Sequence, residues 1–545
     1  MFFQECESLA NSEPLLKKTI TQIDNVLKGI GPSSVLDSEI IAQKIGEKES
    51  IIEGVFLKLS EAGLLNKEKY ILCPKCGNLM KYEDFETAKN KEDEFCCSIC
   101  EYNLMQEKKL EIVIRYRLKA RSVTMTEPMQ IRSFPEPNFE IRLPERYRTN
   151  PFQYMGLLNY YSNQFAETGQ FGPFAGKRFY FILHFLGDFV PFIEAMKRMG
   201  LDVRNCVFFY KEYPYPQREA IKNWLEEQDA IVKPVREVEN YVKQLATSEL
   251  KEKNILILED GGFIVPLVHR HYPQLIPYTL GAVEQTSRGE WNTKEWLKES
   301  NENQLGFPVV SVAGSKLKSE FEPKYIGEAA VKNLERMIPN ISFSGRNAVV
   351  FGFGSIGEQV ADWLRKKGTI VKIFEINDDK KLIASEKGYE ITETPISAVR
   401  DAFLVIGASG RQSIDSSVIS GLSHGCYVAS ASSEQYEIDI EELIKRKLNE
   451  QILQNDNKEI IGTTFELQSP PQGKKINLLA NGFPVNFWGF ESMPEQASDL
   501  ILSLILLSAT EIALGKVTDN NIDSDIVNKI AEEYEVSKKY LEMHK

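Results

Sequence analysis

Short apolar runs alternate with segments of helical periodicity through the middle of this chain. The apolar runs lie at 179–183, 207–210 and 255–258. They lack polar alternation, which is typical of strands that are buried on both faces. Between them, apolar residues recur at helical spacing over 189–198, 217–227 and 237–246. Strands that alternate with helices indicate a parallel sheet covered by helices, so residues 151–330 are predicted to form an α/β domain.

The same pattern continues beyond residue 330 around a glycine-rich turn. An apolar run at 348–351 is followed by Gly352, Gly354 and Gly357 and then by a helical period. In a strand–turn–helix unit of this spacing, the first glycine permits the tight turn and the second lets the backbone approach a pyrophosphate. The third lets the helix sit close to the strand. Residues 331–485 are therefore predicted to form a Rossmann-type dinucleotide-binding domain.

An acidic residue follows the second strand of this unit. The apolar run over 370–374 ends at Glu375. A carboxylate here can accept hydrogen bonds from the adenosine ribose hydroxyls, and it would repel a 2′-phosphate. The unit therefore predicts NAD rather than NADP, with Ser355 and Ile356 beside the phosphates at the helix N-terminus.

Composition and charge narrow the class of protein. The chain has 545 residues, 42% hydrophobic and 26% charged, and this length predicts several domains. Its net charge of −13 disfavours broad affinity for nucleic acid or a membrane surface. The longest apolar run, at 500–507, is shorter than the roughly 20 residues that span a bilayer. No signal peptide is visible, so we interpret the protein as cytoplasmic, without membrane contact.

Five of the eight cysteines lie between residues 73 and 100. Two CxxC pairs, Cys73 with Cys76 and Cys97 with Cys100, have the spacing of a zinc ribbon in which each pair presents two thiolates. Cys96 could replace Cys97 in this set. Four thiolates leave no open coordination position, so the predicted zinc is structural. Disulfides are the weaker interpretation in a chain without an export signal.

The N-terminal region has a different pattern from the rest. Residues 33–70 carry two helical periods broken at Gly46 and followed by a strand, which resembles a winged helix-turn-helix. Its second helix is acidic, so contact with a protein partner is favoured over DNA binding. The predicted organisation is a helical leader and winged-helix-like module (1–72), a zinc ribbon (73–105), a strand-rich connector (106–150), the α/β domain (151–330, completed by 486–515), the Rossmann domain (331–485) and a C-terminal helix (516–545).

Several motifs resemble those of the S-adenosylhomocysteine hydrolase family, in the same order along the chain. They span roughly residues 180–515, whereas the first 150 residues have no counterpart there. The motifs are LHFLGDFVPFIEAMKRMGLDV (183–203), ILILEDGGFIV (255–265), GAVEQTSRG (281–289), KSEFEPKYIG (318–327), the Rossmann unit, YEIDIEEL (436–443) and LLANGFPVN (478–486). The resemblance implies a doubly wound parallel sheet for NAD plus a discontinuous α/β substrate domain. The winged helix and zinc ribbon predicted above from the residues would be added to this fold at its N-terminal side.

The resemblance implies a reaction in which tightly bound NAD is used and regenerated within each turnover. In the family, NAD oxidises the 3′-OH of a nucleoside, which acidifies the 4′ C–H; homocysteine is eliminated, water adds at C5′, and the hydride returns. By motif match, Lys318 would assist deprotonation of the 3′-OH, Asp260 would act as acid and base at C4′ and C5′, and His184 would shuttle protons at C5′. The resemblance also implies homo-oligomerisation.

Cofactor contacts are implied in the same way. Asn486 would hydrogen-bond the nicotinamide amide. Thr286 and Ser287 would line the cofactor ribose and the substrate, and Ser409 would lie at the cofactor.

Other positions depart from the family pattern. Gln285 stands in place of a second acid that grips the ribose diol, and Glu322 in place of the aspartate after the lysine motif. Ala313 replaces an asparagine, and Ser433 replaces a histidine near the nicotinamide. In the adenine pocket the departures are Leu186, Asp188 and Met493.

Three hypotheses follow for the function. The first is an NAD-dependent enzyme that acts on S-adenosylhomocysteine or a related 5′-modified nucleoside. The second is a regulatory protein that senses NAD or a nucleoside and recruits a partner through its N-terminal module. The third is a different NAD-dependent oxidoreductase that releases its cofactor.

Overall fold

The computed structural model describes residues 4–28, 35–75, 79–91, 94–97, 102–107, 110–118, 143–167, 172–215, 217–300, 304–338, 340–432, 435–467, 473–489 and 492–544. The chain divides into two compact units, Met1–Thr126 and Glu127–Lys545.

The N-terminal unit combines helices with an antiparallel sheet. Its elements are α1 (Gln4–Ser12), α2 (Lys17–Lys28), β1 (Val35–Leu36), α3 (Ser38–Ile45), α4 (Glu49–Glu61), β2 (Leu65–Leu72), β3 (Leu79–Lys81), α5 (Tyr82–Asn90) and β4 (Glu111–Leu118). The sheet has the order β1-β4-β2-β3. The two helical periods predicted over 33–70 are confirmed as α3 and α4, and Gly46 ends α3 in the left-handed conformation at φ 71°. The winged-helix interpretation stays a prediction.

The larger unit begins with helices and a parallel sheet. Its first elements are α6 (Arg146–Thr149), α7 (Gly156–Glu167), β5 (Arg178–Leu183), α8 (Phe189–Arg198), β6 (Val207–Tyr210), α9 (Arg218–Glu226), β7 (Ile231–Pro234), α10 (Val238–Ala246), β8 (Ile255–Glu259), α11 (Ile264–His271), β9 (Thr279–Glu284), α12 (Ser287–Ser300), β10 (Val309–Ser311) and α13 (Lys316–Phe321).

The dinucleotide-binding half follows and is closed by a return to the first sheet. These elements are α14 (Pro323–Met337), β11 (Asn347–Phe351), α15 (Ser355–Lys366), β12 (Ile370–Phe374), α16 (Asp378–Glu386), β13 (Glu390–Ile391), α17 (Pro395–Val399), β14 (Leu404–Gly407), α18 (Ser416–Gly421), β15 (Cys426–Ser430), α19 (Ile440–Arg446), β16 (Lys447–Gln454), β17 (Ile460–Leu467), β18 (Lys474–Leu479), α20 (Glu495–Ala513), β19 (Ile522–Asp523), α21 (Asp525–Glu533) and α22 (Val536–Met543).

The first sheet has the order β19-β10-β9-β8-β5-β6-β7, and all of its neighbouring strands are parallel. From β5 the chain moves outward through β6 to β7, and it then returns to the other side of β5 as β8. The β5/β8 junction is therefore the topological switch point, where the loops after the two strands part and leave a crevice. The predicted α/β domain is confirmed.

The second sheet has the order β13-β12-β11-β14-β15-β18-β17-β16. Its strands are parallel from β13 to β18, and β17 and β16 extend it antiparallel. The switch point lies between β11 and β14, directly beside the glycine-rich turn that follows β11. The doubly wound dinucleotide-binding fold predicted for residues 331–485 is confirmed.

The C-terminal boundary differs from the prediction. The predicted return of the chain to the first domain ended at residue 515, but β19 pairs with β10, and α21 and α22 pack on the same core. A two-residue edge strand is too short to show periodicity in the sequence, so this extension could not be predicted from the pattern.

Helix α20 is the core element that joins these parts. It is long and apolar enough to cross a membrane by length and composition, but 89% of its apolar window is buried inside the unit. Within it, Asp499 is fully buried and accepts the backbone N–H groups of Leu157 at 2.7 Å and Leu158 at 2.8 Å, in the first turn of α7. Asp499 Oδ2, the oxygen that accepts from Leu157, also lies 2.9 Å from Nε2 of His544 in the C-terminal segment. One carboxylate thus connects α7, α20 and the C-terminal segment.

Replacing Asp499 by Ala is expected to lower the free energy of unfolding by about 2–4 kcal/mol, because two buried N–H groups and an imidazole lose their acceptor. Urea denaturation of both proteins measures the change. The matched control is Asp378→Ala, where the side chain is 92% exposed and a change below about 0.5 kcal/mol is expected. Equal stability of the Asp499 variant and the wild type would contradict the role assigned to this carboxylate.

Candidate active site

The two switch points face a common cavity of about 430 Å³ in the larger unit. Most of the residues selected from the sequence line it. From the first domain these are His184, Asp260, Gln285, Thr286, Ser287, Lys318 and Glu322, and from the dinucleotide-binding half they are Gly354, Ser355, Ile356, Ser409 and Asn486. Residues far apart in the sequence thus meet at one site.

Three charged or titratable residues follow directly on three neighbouring strands of the first sheet. His184 comes after β5, Lys211 after β6 and Asp260 after β8. Asp260 Oδ2 lies 3.0 Å from His184 Nε2, and Asp260 Oδ1 forms an ion pair with Lys211 Nζ. His184 Nδ1 meets the hydroxyl of Tyr215. The four side chains form a continuous polar chain at the ends of buried strands.

Asp260 is a permanently ionised member of this chain. Burial alone would raise the pKa of its carboxyl, but the Lys211 ammonium and then His184 outweigh burial and hold that pKa well below its usual range. Sequence reasoning missed Lys211 and Tyr215. The available signal was a lysine directly after the apolar run VFFY, a position where a buried strand meets the cavity.

Two further carboxylates shape the turns around Asp260. Glu259 accepts the N–H groups of Phe263 at 2.9 Å and Ile264 at 2.6 Å, at the start of α11. Glu284 accepts the N–H groups of the double glycine, at 3.1 Å from Gly261 and 2.9 Å from Gly262. Burial raises the pKa of Glu259 to about 7 and that of Glu284 well above its usual range. These residues are structural supports for the loop that carries Asp260.

Glu284 also holds the turn that leads into α12. Its Oε1 accepts both the N–H and the hydroxyl of Thr286, each at 2.7 Å. Thr286 therefore lines the cavity, and its hydroxyl already donates to Glu284. Gln285, which follows Glu284, faces the same cavity and its backbone N–H donates to the carbonyl of Glu259 at 2.9 Å.

Lys318 and Glu322 form a second pair of charged residues that lines the cavity. Lys318 lies in α13, its residue is only 8% exposed, and its Nζ lies 2.5 Å from Glu322 Oε1. Ser315 caps this helix by accepting the N–H of Lys318 at 3.2 Å. The longer side chain of Glu322 thus still reaches the lysine. The neighbouring Lys316 is exposed and does not line the cavity.

The glycine-rich turn has the geometry that a dinucleotide phosphate requires. Gly352 has a φ of 94°, which favours glycine, and a Cβ at Gly357 would lie 2.1 Å from the carbonyl oxygen of Gly352. A Cβ at Gly354 would meet only Lys380 Nζ, at 3.7 Å, so the cavity side of this residue is open. The turn leads into α15, where the first N–H groups have no acceptor within the helix.

Glu375 lies at the end of β12 as predicted, and the backbone holds it in place. Its carboxylate accepts N–H groups from Phe353 at 2.6 Å, Ile376 at 2.8 Å and Asn377 at 2.9 Å. Burial alone would raise the pKa of this carboxyl, but these N–H groups, with Asn377 the strongest, lower it below its usual value. The group therefore stays anionic, which opposes a 2′-phosphate.

Asn486 shows that a polar ligand fits the inner end of the cavity. The residue is 2% exposed, and its side-chain oxygen Oδ1 is buried without a hydrogen-bond partner among the described residues. A buried amide oxygen is costly unless it is paired, and the carboxamide N–H₂ of a nicotinamide is a suitable donor. With the open Gly354 face and the anionic Glu375, these residues fit NAD.

The predicted departures are in place where the structure describes them. Ala313 lines the cavity, and so do Leu186, Asp188 and Met493 on the wall assigned to the nucleobase. Burial raises the pKa of Asp188 to about 6. Ser433 lies outside the described residues. Ser409, which was predicted to lie at the cofactor, donates to the buried carboxylate of Glu437 at 3.0 Å and so anchors the loop after β14.

The predicted zinc ligands are described only in part. Cys73 and Cys97 are each 1% exposed and belong to one small apolar cluster, whereas Cys96 is exposed. Cys76 and Cys100 lie outside the described residues. Among the residues that are described, no group of three or more His, Cys, Asp or Glu side chains is placed to hold a metal ion.

Comparison with known proteins finds similarity to the same family that the motifs resemble. Residues 326–492 match the family model described as S-adenosyl-L-homocysteine hydrolase, NAD binding domain. The chain is thus similar to the S-adenosylhomocysteine hydrolases over about half of its length. It is 27% identical over 282 residues to S-inosyl-L-homocysteine hydrolase from Methanopyrus kandleri, covering 51% of this chain and 64% of that protein. It is 28% identical over 275 residues to an adenosylhomocysteinase from Aquifex aeolicus, and this match covers 50% of this chain and 63% of that protein.

The hydrolase-like match therefore spans less than two thirds of these relatives. A solved structure of dipicolinate synthase, A chain, from Bacillus subtilis aligns with a TM-score of 0.35 and 12% identity, covering 62% of this chain and 97% of that one.

Replacing Gly354 by Ala is expected to leave the fold intact and to weaken NAD binding roughly tenfold or more, because the methyl group projects toward the phosphates. Calorimetric titration of NAD-depleted protein measures the affinity, and the melting temperature measures the fold. Gly54→Ala is the control, since a Cβ there meets nothing within 4 Å. Unchanged affinity in the Gly354 variant would show that the pyrophosphate does not approach this turn.

Proposed function

We propose that this protein is an NAD-dependent hydrolase that acts on S-adenosylhomocysteine or a related 5′-modified nucleoside through transient oxidation of the ribose 3′-OH. The observation that carries the proposal is the single cavity in which the Lys318–Glu322 pair, the His184–Asp260 pair and Asn486 converge. When bound, NAD would supply reversible hydride transfer. Asn486 would hold its nicotinamide, Gly354 would admit its phosphates, and Glu375 would bind its adenosine ribose.

The Lys318–Glu322 pair supplies a base for the 3′-OH. An ammonium cannot accept a proton, but transfer of one proton from Nζ to the Glu322 carboxylate leaves an amine that can. The 2.5 Å separation allows this transfer directly. Lys318 would then accept the proton of the 3′-OH, with Gln285 as a hydrogen-bonding group for the ribose diol.

The His184–Asp260 pair supplies proton transfer on the other side of the cavity. Because Asp260 is ionised, it acts as a carboxylate that accepts from His184 and cannot donate a proton in the resting site. We therefore assign the exchange of protons at C4′ and C5′ chiefly to the imidazole, supported by the carboxylate.

The matched pair Lys318→Ala and Lys316→Gln tests this proposal. Wild-type protein mixed with S-adenosylhomocysteine or adenosine is expected to show near-UV absorbance of reduced nicotinamide without added NAD. Lys318→Ala is expected to lose turnover by about 10²–10⁴-fold, the usual contribution of a general base. The exposed Lys316 should be dispensable. NAD content, measured by mass spectrometry of the denatured protein, should be equal in all three.

The alternative is an NAD- or nucleoside-sensing protein without turnover. The changed nucleobase wall at Leu186, Asp188 and Met493 favours this alternative over hydrolysis of S-adenosylhomocysteine itself. No absorbance change with either S-adenosyl- or S-inosylhomocysteine, in protein that carries NAD, would support the alternative. Cellular function that survives Lys318→Ala with NAD still bound would also support it.

The N-terminal unit is proposed to contact a protein partner rather than DNA. The exposed positions of α4 include Glu49, Glu53 and Glu61, and its Lys58 is paired with Glu13. An acidic face is repelled by phosphate. Homo-oligomerisation and a cytoplasmic location are proposed from the resemblance and the sequence alone.

The same unit is proposed to hold one structural zinc ion. Cys73 and Cys97 are buried in the same small apolar cluster. The backbone N–H of Cys97 donates to the carbonyl of Tyr102 at 2.9 Å, which fixes the loop that carries this cysteine. Because Cys97 is buried and Cys96 is exposed, Cys97 is the better ligand.

Metal analysis of purified protein is expected to find about one zinc per chain. Cys73→Ser and Cys97→Ser should lose the metal and destabilise the N-terminal unit, whereas Cys96→Ser should retain it. Chelators would have the same effect as the first two changes. Metal-free wild-type protein with a folded N-terminal unit would refute the zinc site.

A further inference from the structure

Lys211 lies outside every motif that carries the family resemblance. It follows directly on β6, and its side chain is 1% exposed. Its Nζ forms an ion pair with Asp260 Oδ1 and faces the rings of Tyr213 and Phe263 at 5.4 Å and 5.6 Å. A solvated lysine has no such surroundings. A fully buried ammonium is costly unless a carboxylate compensates it, so its presence beside the cavity calls for a physical reason.

The reason lies in the charge balance of the cluster. Asp260 shares its two oxygens between Lys211 and His184. With an uncharged imidazole, one positive and one negative charge cancel. If the ammonium were removed, the buried carboxylate would be uncompensated, and the Asp260–His184 pair would retain one more proton at the same pH.

Other titratable groups surround the pair, and most have partners of their own. Tyr215 meets His184 Nδ1, and the Phe487 ring packs against the imidazole with centroids 4.4 Å apart and the planes tilted by 33°. Glu212, next to Lys211, pairs with Arg236. The remaining groups near the cluster or across the cavity are Asp188, Tyr213, Glu259, Glu284, Lys318 and Glu322. Among the described residues, Lys211 is the cation in direct contact with Asp260.

We propose that Lys211 is a positioning residue that keeps Asp260 ionised and its second oxygen directed at His184 Nε2. His184 Nε2–H then donates to Asp260, and Nδ1 is left as the proton acceptor. The Tyr215 hydroxyl occupies Nδ1 in this structure. Only one part of this inference rests on the proposed function, namely the identity of the group that later gives its proton to His184 Nδ1. That group must displace the tyrosine hydroxyl, and the proton it loses converts His184 to an imidazolium held by Asp260.

Titration of His184 by NMR tests the inference without requiring turnover. The chain has five histidines, and His184→Gln assigns the signal in protein with ring-labelled histidine. Lys211→Met, which keeps the length of the side chain but removes the cation, is expected to leave His184 more protonated than in the wild type at the same pH. Lys211→Arg keeps the charge and should reproduce the wild-type NMR signals of the imidazole. A His184 titration in Lys211→Met that superimposes on the wild type would overturn the proposal.

A second variant covers the case in which Lys211→Met does not fold. Asp260→Asn leaves the ammonium next to an imidazole that has lost its carboxylate, so His184 should be less protonated than in the wild type at the same pH. An unchanged titration would again overturn the proposal. If the protein is a hydrolase, the acidic limb of kcat should move with the NMR value in each variant, a shift that a purely structural lysine would not cause. If it is not, the NMR result still stands and only the proposed function fails.

Discussion

Charged groups at the ends of fully buried strands must find partners inside the protein, and this constraint organises the active-site half of the molecule. β5, β6 and β8 lie side by side, and the residues that follow them, His184, Lys211 and Asp260, are largely buried at one edge of the sheet. The three side chains therefore pair with one another. Glu259, the last residue of β8, and Glu284, the last residue of β9, meet the same constraint by accepting backbone N–H groups of the loop that carries Asp260. The polar cluster and the loop around it thus depend on one set of buried carboxylates.

In the dinucleotide-binding half, backbone groups rather than charged side chains determine the shape of the ligand site. Close approach of a pyrophosphate needs glycine at the turn after β11, and close packing of α15 on the strand needs a second glycine at Gly357. The acid at the end of β12 is held by three N–H groups, so its charge and its position are both determined before any ligand arrives. Preorganisation of this kind avoids an entropic cost on binding. The unpaired amide oxygen of Asn486 is the complementary feature, a polar group left for a ligand to satisfy.

The two halves contribute different parts of one reaction site. The first sheet provides the titratable side chains, and the second provides the glycine-rich turn of a dinucleotide-binding fold. Residues 313–326 cross between them, and this segment carries Lys318 and Glu322, which line the same cavity as the His184–Asp260 pair. Helix α20 returns the chain to the first domain and, through Asp499, anchors α7 and the C-terminal segment. Three of the departures from the hydrolase pattern, Leu186, Asp188 and Met493, line the same cavity, so they change its shape and polarity.

Local patterns in the sequence determined the elements and the cofactor class. The helix predicted over 189–198 and the strands predicted over 207–210 and 370–374 have those bounds in the structure, because uninterrupted apolar runs and helical periods report burial directly. The glycine spacing and Glu375 likewise identified the dinucleotide turn. Only the tertiary structure decided the partners of the buried charges. Lys211 pairs with Asp260 across three strands because strand order, which no local pattern encodes, places β6 and β8 on either side of β5.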